Sequence, residues 1–141
     1  MFKKILKKKE EKNTINKDIL IVSLLIHAAR IDQNYSALEK DIIKKAIIDL
    51  NKINSDEAEK IIQLAEKKEE QSNQIIEFTK EIKKYSMEYR LKIIEVIWKI
   101  VYSDGISDNY ETNLIRRICG LLYISDKDNG IIKAKVKNLL K

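Results

Sequence analysis

No proline occurs anywhere in the 141 residues, and glycine appears only at Gly105, Gly120 and Gly130. Folds made of short strands and tight turns need far more of both, so a turn-rich β architecture is excluded. The single cysteine, Cys119, rules out an internal disulfide framework and fits a reducing compartment. One histidine, His27, and one cysteine cannot supply the ligand set of a structural zinc site. Catalytic signatures are missing too. There is no glycine-rich phosphate loop, no readable Ser–His–Asp or Cys–His arrangement and no helical zinc-protease motif, so the expectation is a chain that is not an enzyme. The longest apolar run, from Ile19 to Ala29, is broken by Ser23 and His27. It covers about half of the ~20 residues a membrane crossing needs and reads as a buried helix.

What is present is helical. Hydrophobic residues make up 44% and charged residues 35%, the balance of a globular, well-solvated chain rather than a disordered one. The net charge of +6 is concentrated at the N-terminus: residues 1–12 hold six Lys and two Glu, or +4, which leaves +2 for the rest. A basic surface across the whole domain, and with it specific nucleic-acid binding, is therefore not expected. The chain divides into a basic tail, 1–13, and a helical domain, 14–141. Lysines at positions 3 and 4, with no long apolar stretch near them, argue against a secretory signal. In the tail, Phe2, Ile5 and Leu6 alternate with Lys3, Lys4 and further lysines. This pattern can touch an anionic membrane surface, although so short a helix is marginal in water. The location expected is cytoplasmic, with membrane-peripheral contact as the alternative.

Apolar residues recur at helical spacing along nearly the whole chain. Helices are expected at about 14–31, 36–50, from Ser55 onward, at 73–85, from Ser86 onward, at 108–122 and over the last dozen residues. Leu38, Ile42, Ile43, Ala46, Ile47 and Leu50 form the stripe of the second. Ile75, Ile76, Phe78, Thr79 and Ile82 face inward in the fourth. The charged stretch 66–74 reads as the turn between two halves. Those halves repeat at an offset of 72 residues: Asp32 falls on Asp104, Glu39 on Glu111, and Ile42 and Ile43 on Leu114 and Ile115. The fold expected is all-α, a compact bundle of about seven helices built from two pseudo-symmetric helix–acidic loop–helix repeats.

The acidic loops carry two readings. Ser36-Ala-Leu-Glu39 is a capping box, and Asp108-Asn-Tyr-Glu111 is the same device begun with Asp. On that reading each loop is a hinge between helices and nothing more. Asp32 and Asp104, however, fall where a helix ends, a position that disfavours negative charge by roughly 0.3–1 kcal/mol. Either the loop's own N–H groups or a cation must offset this. Asp104, Asp108 and Glu111 on one short loop suit a hard divalent ion such as Ca²⁺ or Mg²⁺, and Asp32 with Glu39 form a poorer second set. The loop is not an EF-hand, because Ile106 stands where that motif needs an oxygen ligand. Asp126-Lys-Asp128-Asn-Gly130 reads as a capping and turn segment.

An apolar helix, then Asp-Gly-Ile-Ser-x-x-x-Glu, then an amphipathic helix, used twice, resembles the TerB-like family, the tellurite-resistance protein B group. "SDGISDNYE" at 103–111 matches well, while "IDQNYSALE" at 31–39 keeps Asp32 and Glu39 but has Gln33-Asn34 in place of the glycine pattern. The resemblance covers about residues 14–140. It implies an all-helical fold with internal pseudo-symmetry, acidic loop residues proposed to hold a metal, and a stress-response or scaffolding role with a protein partner. The rival reading is an interaction adaptor whose acidic loops are purely structural. The remaining residues of note have plain expected roles. His27 is expected to be a packed core histidine, Cys119 an inert buried thiol, and Arg116-Arg117 a solvated pair.

Overall fold

The computed structural model describes residues 17–30, 35–72, 74–103 and 109–139, the last segment without its side chains at 109–112. Every regular element among them is a helix. They are α1 (residues 17–30), α2 (Ala37–Asn51), α3 (Ser55–Gln71), α4 (Ile75–Ile82), α5 (Met87–Tyr102), α6 (Asn109–Leu121) and α7 (Asp126–Leu139).

Two helices form the centre. In α1, Ile21, Val22, Leu24, Leu25 and Ile26 are all fully buried, which covers most of the helix circumference. In α5, Ile93, Ile94, Ile97 and Trp98 are buried likewise. The other helices bury one stripe each and pack around this pair: α7, α2 and α6 lie against α5, α3 against α2, and α4 against α6. Cys119 sits in this core, and burial with the nearby Asp126 carboxylate pushes its thiol up to about 12, as expected of an inert side chain.

Local capping sets several boundaries. Ser86 opens α5 by accepting from the Tyr89 N–H, and Ser125 opens α7 by accepting from the Asp128 N–H. Asp126 and Asp128 thus lie in the first turn of α7, and Gly130 is helical rather than the turn residue expected. The cap of α3 is Asn54: its Oδ1 accepts from the Glu57 N–H at 2.8 Å and its Nδ2 donates to Glu57 Oε1 at 3.1 Å. Glu57, three residues on, completes the reciprocal pair. At the end of α6, Tyr123 takes a φ of 57°, Ile124 N–H reaches back to the Cys119 carbonyl, and Arg90 donates to the Leu122 carbonyl at 2.6 Å.

Three expectations change. The stretch 66–74 is not a turn throughout, since α3 continues to Gln71. Ile76 faces out, 56% exposed, because α4 is only eight residues long and buries the face of Ile75, Phe78, Thr79 and Ile82. Leu38 is also 56% exposed, although the neighbouring Ile43 and Ile47 are fully buried. In spacing, α2 and α6 begin at 37 and 109, 72 residues apart, and α3 and α7 at 55 and 126, 71 apart. This describes order and length, and no symmetry axis is inferred from it.

A partly buried polar chain ties three helices together. Tyr89 of α5 donates to Asn51 Oδ1 at the end of α2, and Asn51 Nδ2 donates to Asp18 Oδ1 of α1. Burial pushes the Asp18 carboxyl from 3.8 up to about 6. Between those values the unfolded chain has released a proton that the folded chain keeps. Stability should therefore rise as pH falls from about 7 toward 4, by about 2–3 kcal/mol for this group. Asp18→Asn retains the acceptor for Asn51 and removes the charge. It should raise the melting temperature at pH 7.5 and flatten its dependence between pH 7 and 5. A slope unchanged by the substitution would show that another group titrates there.

Candidate functional site

Asp32 and Glu39 are the carboxylates read from sequence for the first loop, which joins α1 to α2. Asp32 lies outside the described residues, as do Asp104 and Asp108 in the second loop, and the Glu111 side chain is likewise not described. The same holds for Phe2, Lys3, Lys4, Ile5 and Leu6 of the tail. Glu39 is described, and its place is definite. Glu39 N–H donates to Ser36 Oγ at 3.1 Å, and the Ser36 N–H donates to Glu39 Oε1 at 3.3 Å, which forms the capping box expected for α2. Glu39 is buried against this turn.

Sequence reasoning missed what stands opposite the hinge. Three glutamates of α3 reach across to α1 and α2. Glu69, 5% exposed, receives Arg30 Nη1 on Oε2 at 2.6 Å and lies 3.2 Å from His27 Nδ1 through Oε1. Glu70 pairs with the other Arg30 nitrogen at 3.5 Å. Glu66 Oε1 receives Lys40 Nζ at 3.0 Å and the Tyr35 hydroxyl at 3.3 Å. Burial and the Glu66 carboxylate both push the Tyr35 phenol up, out of the physiological range. The Arg30 guanidinium lies over the Tyr35 ring, 5.3 Å from its centroid.

This arrangement braces the hinge through charge pairs between helices. Arg30, the last described residue of α1, pins that helix to α3. Lys40 pins the first turn of α2 to α3 through Glu66. Glu39, Glu66, Glu69 and Glu70, the described carboxylates here, each have a protein cation or an N–H donor on them. Among the described residues, no three acidic, histidine or cysteine side chains converge as a metal cage would require. His27 fits its expected role, packed 6.1 Å from the Phe78 ring and hydrogen-bonded. Arg116 and Arg117 are exposed, as expected. The signal for the brace was Glu69 itself. It continues the buried stripe of Ala58, Ile62 and Ala65 at helical spacing, and an acid on an apolar stripe needs a partner.

Residues 18–134 match the family described as Tellurite resistance protein TerB, a span of most of the chain. No curated protein and no solved structure matches it. No helix among the described residues is long and apolar enough to cross a membrane.

Proposed function

The chain belongs to the tellurite resistance protein TerB family, and from that premise we propose a non-enzymatic scaffold in a tellurite-type stress response, whose two acidic loops serve as hinges of different kinds. The first hinge is closed by protein charge. The observation that supports this reading is the brace of Arg30 and Lys40 onto Glu69 and Glu66, which leaves the first loop little use for an external cation. The second hinge, with Asp104, Asp108 and Glu111, takes a divalent ion, Ca²⁺ or Mg²⁺, and the ion locks α5 against α6. Support for the ion comes from the family resemblance and the all-oxygen donor set, which suits a hard cation. Asp32 and Glu39 contribute weakly at most, with Glu39 occupied in its capping box.

Thermal unfolding after chelation, with each ion restored in turn, tests the ion directly. At about 100 times its dissociation constant the right ion should stabilise the fold by ~2.7 kcal/mol, a rise of several degrees in midpoint. Asp104→Asn should abolish that rise. If the rise persists in Asp104→Asn, or if no ion produces one, the second loop is a helix cap like the first.

A further inference from the structure

The apolar row Leu38, Ile42, Ala46 and Leu50 recurs every four residues along α2, yet no residue of it is fully covered. Its neighbours Ile43 and Ile47 take the core positions, so this row lies along the flank of the helix. Beside it runs α5, antiparallel, with Tyr89 near Leu50 and Ser103 near Leu38. The two helices bound a groove of about 630 Å³, floored by Ile42, Ala46, Leu50, Tyr89 and Val96. It continues past Ile42 and Lys99 into a nearly apolar end of about 290 Å³ between Leu38, Val136 and Leu139. From Leu38 to Leu50 the floor is about 18 Å long at 1.5 Å per residue, the length of three helical turns.

The rim is basic. Lys45 of α2 and Lys52 just beyond its end face Lys92 and Lys99 of α5 across the floor, against Asp49 and Glu95. Glu95 is already paired with Lys135 at 3.0 Å. Lys45 and Lys92 have only exposed partners on their own helices, which are worth little. Lys52 and Lys99 have no ion pair among the described residues.

We propose that this groove seats an acidic amphipathic helix of a partner protein, its apolar face on the α2 row and its carboxylates on the four lysines. Charge complementarity selects this occupant. The chain's own N-terminal arm, with +4 over residues 1–12, has the wrong sign. A second copy would have to present α3, the acidic helix, but Glu66 and Glu69 there are already held by Lys40 and Arg30. A bilayer surface cannot enter a concave floor. The inference is independent of any cation at the second loop, and its test is run in chelator so that the two can fail separately.

The probe is a fluorescein-labelled 16-residue helical peptide with leucines on one face and glutamates flanking them, compared with a twin carrying lysine at every glutamate. The acidic peptide should bind saturably and at least tenfold more tightly than the twin, and more weakly as salt is raised. Lys52→Glu combined with Lys99→Glu alters two exposed side chains and should leave the melting temperature in place while weakening binding at least tenfold. Leu38→Asp, also at an exposed position, should weaken it independently. Equal binding of the twins, no saturable binding, or affinity unchanged in these variants overturns the proposal. So does a dimer in analytical ultracentrifugation that the same variants dissolve, which would make the occupant a second copy. Sedimentation with vesicles containing phosphatidylglycerol, lost in the same variants without peptide binding, would overturn it in favour of lipid.

Discussion

Trp98→Ala should lower stability by about 3–5 kcal/mol, the cost of emptying a large core site together with its cavity. The side chain is 1% exposed and is the largest fully buried one in the described core. It also does more than fill space. Its indole N–H donates to Asn129 Oδ1 at 2.9 Å, Tyr102 stacks on it with ring centroids 5.6 Å apart, and Lys133 lies over its face. The alanine variant therefore loses the packing of α5 on α7 and leaves the buried Asn129 carbonyl without its donor, a further penalty of about 1–3 kcal/mol unless water enters. Chemical denaturation followed by circular dichroism reads the effect, since the only tryptophan is gone. Trp98→Phe separates the two contributions by keeping most of the ring and removing the donor. A loss below about 1 kcal/mol for Trp98→Ala would mean that α7 does not depend on this contact.

Arg30→Ala comes next, with an expected loss of about 3 kcal/mol. The reason is the residue left behind. Glu69 is buried on α3, and without the guanidinium, among the described residues only His27 remains beside its carboxylate. An uncompensated buried charge is costly, whereas replacing both members of such a pair with apolar groups is often neutral. Arg30→Met combined with Glu69→Leu should therefore recover most of the stability that Arg30→Ala loses. If Arg30→Ala costs as little as an exposed pair, below about 1 kcal/mol, then α3 is not what holds the first hinge. In that case the contrast drawn between the two hinges disappears.

These two effects show where sequence reasoning succeeds and where it stops. The caps at Ser36 and Ser86 were legible because their chemistry is local. A hydroxyl sits beside a helix start, and at Ser36 a Glu three residues on confirms it. The centrality of α1 was legible because its apolar residues go most of the way round. The end of α3 was not. Residues 66–71 look like a solvated charge run, and they stay helical because Arg30, Tyr35 and Lys40 reach them from 26–39 residues earlier in the chain, a range with no local signature. Leu38 and Ile76 were placed inward for the opposite reason. Periodicity marks a stripe but does not say how far the neighbouring helices extend over it. As for the loop at 103–108, its residues could be named for a cation by donor type alone, and Asp104 and Asp108 lie outside the described residues.

Cys119 gives the fold a clock. It is the only thiol in the chain, it is sealed in the core beside Ile115 and Ile118, and its deprotonation is suppressed by burial. A thiol reagent in solution reaches it only when α6 lifts from the core. With reagent in excess, the rate of labelling becomes the rate of that opening, read in native buffer without denaturant. The same residue then reports whether a cation, a partner helix or a lost ion pair changes how often the domain opens.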